Sequence, residues 1–462
     1  MASFSLRLSV ISISFLTVMA PAAIAPALAK ISQAFPTADP ALITLVLTLP
    51  SLLIAPVSLL CGWLTRRMRK KPILLTGLAI YLLAGVSGAF SRTIYELLCI
   101  RMLLGIGAGL IVPFSTELIA DSSEEERRKL TGLSGPISYL GGAAFLLLSG
   151  WLACISWRHA FAVYGLSALT FFTVFFLLPE PTHKEVGHTQ KNGLPAGVYM
   201  CTLLGGLLMV VSYAAPINLA MFIESESRMY TNQTPLLATQ EELRRFLTEG
   251  IVSASIQDSF LKSGIQLSGK AVLTIEGTSK QWTILDGDKK YSARKENGRE
   301  GLVIYTERQD RPRIAGYCLS LMLLAGVFSG FALTISRRRF GALTPATGIG
   351  SMAAGYALLG GTSSLSGVLI AMVCLGFGSG ILLPLLLLRA TEMVTGHSRA
   401  LAMAVLNAGV YFGQFLSPVI LKWLGLCQAA GGIYRQQFIG LALALGIAAL
   451  LGIPRRPCCA TS

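Results

Sequence analysis

Apolar runs of about twenty residues recur along the chain, separated by short polar gaps. A helix of that length crosses the ~30 Å of hydrocarbon in a bilayer. Twelve such runs are legible, at about 9–29, 41–61, 72–90, 95–116, 137–156, 159–178, 197–221, 314–334, 342–360, 365–388, 400–421 and 437–454. The first leads directly into a second and has no clear small-residue cleavage site, so it reads as a retained helix rather than a signal peptide. The pattern predicts an all-α polytopic membrane protein with 12 transmembrane helices in two six-helix halves.

Residues 223–313 break this pattern. They carry 14 Lys/Arg and 13 Asp/Glu, the composition of a soluble domain. "TQEELRRFLTEG" opens on a capping box, Thr239 with Glu242, and predicts a helix of roughly twenty residues. The runs "KAVLTIE", "KQWTIL", "KKYSAR" and "GLVIYTE" read as strands, separated by the turn signals "GTS", "DGD" and "ENGRE". A small α+β insert domain follows, a helix packed on an antiparallel sheet. It has no Cys or His, which excludes a disulfide staple and a Cys/His metal site there. "NQT" at 232–234 is a glycosylation sequon, meaningful only in a eukaryotic secretory setting. The expected domains are thus 1–190 for the first half, 191–222 with 314–462 for the second, and 223–313 for the insert.

Composition sharpens this reading. Of 462 residues, 53% are hydrophobic and 13% charged. That is half the ~25% charge usual in soluble domains. The formal charge is +15, and its placement is more informative than its size. "GWLTRRMRKKPILL" at 62–75 packs five cations between two apolar runs with no carboxylate. Cytoplasmic loops collect Lys and Arg. With the N-terminus inside, inner tails and loops hold 18 of these residues and short outer loops five. This predicts cytoplasmic N- and C-termini, an extracytoplasmic insert, and a plasma or bacterial inner membrane as the location. The charge is a topology signal rather than a nucleic-acid patch. The nine cysteines show no zinc or redox spacing. Cys458 and Cys459 read as part of an apolar tail, with palmitate as the alternative.

A second cationic loop, "SRRRFG" at 336–341, falls about half the body-length after Arg66 once the insert is set aside. Paired halves of this kind are a repeat signature of transporters. Outside the insert the chain resembles the major facilitator superfamily. Between the second and third runs that family reads approximately G-x-L-A-D-R-x-G-R-K. Gly62, Leu64, Thr65, Arg67, Lys70 and Lys71 stand in matching places, while Arg66 replaces the family's Asp and Arg69 its Gly. "RMLLGIGAG" supplies Arg101, Gly105, Gly107 and Gly109 as in R-x-x-x-G-x-G-x-A/G. "GWLACISWRHAF", "LPEP" and "YFGQFLSP" are further echoes. In the fifth run Phe145 and Leu146 occupy the Gly-Pro positions of the drug-antiporter motif, so that motif is broken. The resemblance implies alternating access, with Gly62, Arg67, Lys70, Gly105, Gly107, Gly109 and Glu117 as candidates for gating or helix packing.

Charges at membrane depth are costly and by default functional. The chain offers few. Arg101 lies about two turns inside the fourth run, and two readings of it stay open. It either reaches the outer surface or a neighbouring backbone carbonyl, or it faces substrate in a central cavity. Glu96 and Glu117 fall near opposite surfaces, and no carboxylate or histidine lies deep in any run. Tyr139, Tyr213, Asn218, Asn407, Tyr411 and Gln414 are candidate cavity-lining residues beside Arg101. Pro21 and Pro26 are candidates for bending the first helix. No phosphate-binding loop, metal cluster, Ser/His/Asp set or paired acids suggest an enzyme or a cofactor.

The expectation is a secondary transporter for a small drug-like or metabolite solute, with export ahead of facilitated uptake and protons as the candidate coupling ion. Expected partners are that solute, the lipid bilayer, and a ligand or protein at the insert; nucleic acid is excluded. A membrane-anchored ligand sensor is the alternative from another class.

Overall fold

The computed structural model describes residues 2–17, 23–65, 67–120, 124–178, 194–225, 231–235, 242, 245, 254–262, 274–278, 281–286, 289–295, 302–307, 311–362, 364–394, 398–423 and 433–451. Two compact units emerge, Met1–Glu224 with Pro312–Ser462, and Ser225–Arg311.

The first unit is helical. α1 (Ala2–Thr17) is followed by a 3-10 turn (Ala25–Ala27) and α2 (Leu28–Ala34). Next come α3 (Pro40–Leu64), α4 (Lys70–Ser87), α5 (Ile94–Ala120) and α6 (Glu124–Ile155). A 3-10 segment (His159–Leu166) runs into α7 (Ser167–Leu177), and α8 spans Ala196–Ser225. Beyond the second unit lie α10 (Arg311–Phe340), α11 (Thr344–Gly361), α12 (Leu365–Glu392), α13 (Ser398–Trp423) and α14 (Ile433–Leu451).

Among the described residues nine helical segments are long and apolar enough to cross a membrane. The first, ninth and twelfth expected runs are helical but fall outside this set. In the first, α1 is described as far as Thr17, Pro21 lies outside the described residues, and Ala25–Ala27 forms a 3-10 turn with Pro26 in its first positions. Proline removes a backbone donor and cannot continue a helix through its own position without a break. α11 is diluted by Gly, Ala and Thr, and α14 opens on Arg435, Gln436 and Gln437.

Helix starts follow local chemistry. The Asp39 side chain accepts from Ala41 N at 2.7 Å, with Pro40 in the first turn, so α3 is capped by acceptor and pre-set φ together. At α5, Glu96 N donates to Thr93 Oγ1 at 3.2 Å, and Glu96 Oε2 accepts from Arg92 N at 2.8 Å. This resembles a capping box in which the return bond falls on the residue before the N-cap, and it accounts for Glu96. Large apolar side chains on the outer faces stay exposed, as at Leu83, Phe90, Leu203, Phe328 and Leu443. Water does not cover such a surface favourably; lipid does.

Contacts between the first helices (α1–α7) and the later ones (α8, α10–α14) gather at one end of the bundle. There Asp39 Oδ2 meets Lys422 Nζ at 3.6 Å, and Gln33 Nε2 donates to Glu224 Oε1 at 3.0 Å. Deeper in, Ser51 Oγ donates to Gln414 Oε1 at 3.0 Å, joining α3 to α13. α6 and α10 meet almost backbone to backbone. A Cβ on Gly150 would stand 2.8 Å from Pro312 O and 3.2 Å from Gly316 Cα. Beside that seam Trp151 Nε1 donates to Tyr317 OH at 3.1 Å, and Ser320 Oγ to Ala143 O at 2.8 Å. At the opposite end, Lys71 Nζ donates to Leu178 O at 2.7 Å within the first set.

The second unit contains a five-stranded antiparallel sheet. β1 (Thr231–Pro235), β2 (Thr274–Thr278), β3 (Gln281–Asp286), β4 (Lys289–Lys295) and β5 (Leu302–Glu307) lie in the order β1-β5-β4-β3-β2. β3 pairs with β4 in the register Thr283 to Ser292, and β1 with β5 in the register Gln233 to Tyr305. A short helix, α9 (Ala254–Lys262), carries Ser255, whose Oγ donates to Glu242 Oε1 at 2.9 Å. The helix expected from Thr239 lies outside the described residues apart from positions 242 and 245.

Candidate functional site

Arg101 is 1% exposed and anchors a polar cluster inside the first helices. Its Nε donates to Val46 O on α3 at 2.9 Å, and its Nη1 to Tyr164 OH at 2.8 Å. The guanidinium lies 5.7 Å from the Phe161 ring centre and 5.5 Å from that of Tyr164, within cation–π range. Tyr81 stands edge-on to Tyr164 at 5.7 Å. Arg101 Nη2 and Tyr81 OH are buried without a hydrogen-bond partner among the described residues. Of the two readings left open by the sequence, the structure places Arg101 on a neighbouring backbone carbonyl.

A second cluster lies among the later helices, where Tyr213 on α8 packs against buried Met209 of α8 with Leu406 and Val410 of α13. Tyr164 is fully buried, whereas Tyr139, Tyr213 and Tyr411 keep part of their surface open. Tyr139 faces α10, where a Cβ on Gly326 would stand 3.4 Å from its ring. One turn beyond Tyr411, Gln414 accepts from Ser51 and donates to Met209 Sδ at 3.7 Å. Asn407, one turn before Tyr411, is half-buried. Asn218 is different: it is buried and donates to Gln437 Oε1 on α14 at 2.9 Å, a bond internal to the later helices. The sequence signals for Tyr164, Ser51 and Gln437 are weak, because a single polar residue in an apolar run looks the same whether it packs or lines a space.

Every described carboxylate on the first unit's helices sits near a helix end, so the interior around Tyr213 and Gln414 is polar without being acidic. Glu117, near the end of α5, pairs with Lys70 Nζ at 2.7 Å, and their side chains are 29% and 8% exposed. Glu117 thus does more than face solvent. Arg67 is exposed and lies 4.2 Å over the Trp63 ring. A Cβ on Gly62 would meet nothing within 4 Å, so packing does not require glycine there.

The α5 glycines are packing positions. A Cβ on Gly105 would stand 2.5 Å from Pro50 O, one on Gly109 2.7 Å from Val57 Cβ, and one on Gly107 2.7 Å from Tyr81 N. Gly105 and Gly109, one turn apart, face α3; Gly107 faces α4. Small residues let helices approach this closely where lipid offers no hydrophobic drive for association.

A family model of the Major Facilitator Superfamily matches residues 8–254, more than half of the chain. The chain belongs to that superfamily, whose members are transporters rather than enzymes. It is 27% identical over 151 residues to the uncharacterized MFS-type transporter YcnB of Bacillus subtilis (strain 168), covering 32% of this chain and 31% of that protein. The chain thus spans about a third of the curated relative it matches. Among solved structures it resembles the nucleoside transporter NupG with a TM-score of 0.64 at 12% identity, covering 98% of this chain and all of that one. The xylose transporter XylE from E. coli, inward open, gives 0.60 at 15% identity, covering 98% and 96%. An inward-facing, occupied bacterial homolog of the human lysosomal transporter Spinster gives 0.59 at 15% identity, covering 96% and 95%. At such identities the likeness is one of fold.

Proposed function

We propose that the chain is a secondary transporter that moves a small, uncharged or amphipathic solute by alternating access. Twelve spans form two six-helix halves, the first running to about residue 190. The second comprises 191–222 and 314–462, and 223–313 forms an α+β domain on the extracytoplasmic side. Both termini are cytoplasmic. On this orientation the tied end of the bundle, with Asp39–Lys422 and the Gly150–Gly316 seam, is the outer end. The cavity between the halves then opens towards the cytoplasm.

One observation carries the reading. Polar residues from both halves meet between α3, α8 and α13: Ser51 bonds to Gln414 and Gln414 to Met209, and the part-exposed Tyr213 and Tyr411 each lie one turn from that chain with no carboxylate among them. Phenol rings offer apolar faces and hydroxyl bonds together, and Asn407 and Gln414 add amides. Such a lining suits an aromatic or carbonyl-bearing neutral solute. Export remains the preferred direction. Protons are the candidate coupling ion, and in the absence of a deep acid the surface-near pair Lys70–Glu117 is the group to test. Facilitated uptake of a nutrient or metabolite is the second reading. The membrane-anchored sensor requires the insert to be the ligand site.

Purified protein in liposomes, assayed with a panel of neutral aromatic solutes and nucleosides, tests the reading. Saturable flux that Tyr213→Ala and Tyr411→Ala reduce at least about tenfold, the worth of one or two lost solute bonds, is the expected result. Flux insensitive to both substitutions would remove the tyrosine site.

A further inference from the structure

The partner of Arg101 is not an arbitrary carbonyl. In an α-helix the carbonyl of residue 46 accepts from the N–H of residue 50. Residue 50 is Pro50, inside α3, and it has no N–H to give. Val46 O would be an orphan at membrane depth, where no bulk water can satisfy it. Arg101 Nε fills that place from α5 at 2.9 Å. The close crossing that lets it do so is set by Gly105, one turn on, whose absent side chain admits Pro50 O. The other arm of the guanidinium binds Tyr164 OH at 2.8 Å.

From these contacts we infer that Arg101 is a positioning residue: it replaces the backbone donor deleted by Pro50 and so fixes the bend of α3. The bend matters because of what lies on either side. Ser51, the next residue, bonds across to Gln414, and the segment before Pro50 leads back to Asp39, which pairs with Lys422. The α3 stretch from Pro40 to Leu49 is therefore hinged at Pro50, held by Arg101, and docked on α13 at both ends. Lysine keeps the charge but has no planar fork to reach a carbonyl and a phenol at once. The inference rests on the alternating-access reading only in what the hinge is for.

Asp39→Cys with Lys422→Cys, in a full-length background lacking the native cysteines, reports closure of that end by disulfide formation without any solute. Arg101→Ala should slow cross-linking about tenfold, the effect of one lost charge-assisted hydrogen bond. Adding Pro50→Ala, which returns an N–H to Val46 O, should restore it to near the starting rate. Arg101→Lys should fall between. A monodisperse chromatographic profile checks folding in each case. If Arg101→Ala alone fails to fold, the rescue of folding by Pro50→Ala is the same result in another form. Unchanged cross-linking in Arg101→Ala, or no rescue by Pro50→Ala, overturns the hinge assignment. Loss of cross-linking with rescue, but no flux of any solute, would count against transport and leave the hinge intact.

Discussion

Single side chains at the two ends of the bundle carry different liabilities. The Asp39 carboxyl is held below its ordinary value, first by the Ala41 N–H, with desolvation opposing it, and then by Lys422. A depressed folded value means that its contribution is present above the unfolded value of 3.8 and is lost as the pH falls through the lower folded one. Closure of this end should therefore be insensitive to Asp39 between about pH 5 and 8. Cross-linking across the end, with a cysteine pair that leaves Asp39 intact, should follow the same pH profile over that range in the parent and in Asp39→Asn, with thiol ionisation moving both alike. A step that disappears in Asp39→Asn would contradict the assignment. At the opposite end, Lys70→Met strands Glu117 beside a buried site. The expected loss is about 1–2 kcal/mol, below the figure for fully buried pairs because Glu117 keeps 29% exposure. Glu117→Gln should cost less, since an amide still accepts from Lys70. Thermal unfolding in detergent ranks the two, and the reverse order would remove the pair's role.

Among the elements, the helices that touch through glycine are the sensitive ones. Gly107→Ala places a methyl 2.7 Å from the Tyr81 backbone N, which cannot yield as a flexible side chain would. Destabilisation of about 1–3 kcal/mol is expected, read as a lowered melting temperature. Gly62→Ala, with nothing near, should be silent. Gly150→Val acts differently, because α6 and α10 belong to opposite halves of the proposed architecture. It should leave the melting temperature nearly unchanged while holding the outer end apart, seen as increased labelling of a cysteine at Tyr317. Reduced labelling would show that the seam is not a moving contact. Many of these positions are legible from the amino-acid pattern alone. The α5 glycines stand out because R-x-x-x-G-x-G-x-A/G is a pattern of the superfamily. Pro50 and Arg101 are each visible, but their partnership is not. It joins a carbonyl on one helix to a side chain 55 residues away, and no periodicity within either helix encodes it. The first run shows two prolines, yet hydropathy alone extends it unbroken through Ala25–Ala27, where the structure has a 3-10 turn.

At the level of the whole molecule, the proposed topology puts residues 225–311 outside the cytoplasm. A reporter active only in the cytoplasm, fused between residues 286 and 289, should be silent there, and strong signal would invert the arrangement. The scarcity of charge along the helices has an electrical consequence. Membrane voltage acts on a carrier only through charge that crosses the field, at about 2.3 kcal/mol per elementary charge per 100 mV. The described helices hold one ionic group deep between their ends, Arg101, and its bonds to Val46 and Tyr164 keep it within one half. The empty carrier thus offers the field almost nothing to pull on, and its return step should proceed at one rate whether the membrane is polarised or not. Liposomes clamped with potassium and valinomycin would show this as exchange of a neutral solute that does not respond to an imposed potential. Any driving force must then enter through the solute or a co-transported ion, because the described helices supply no charge that crosses the field.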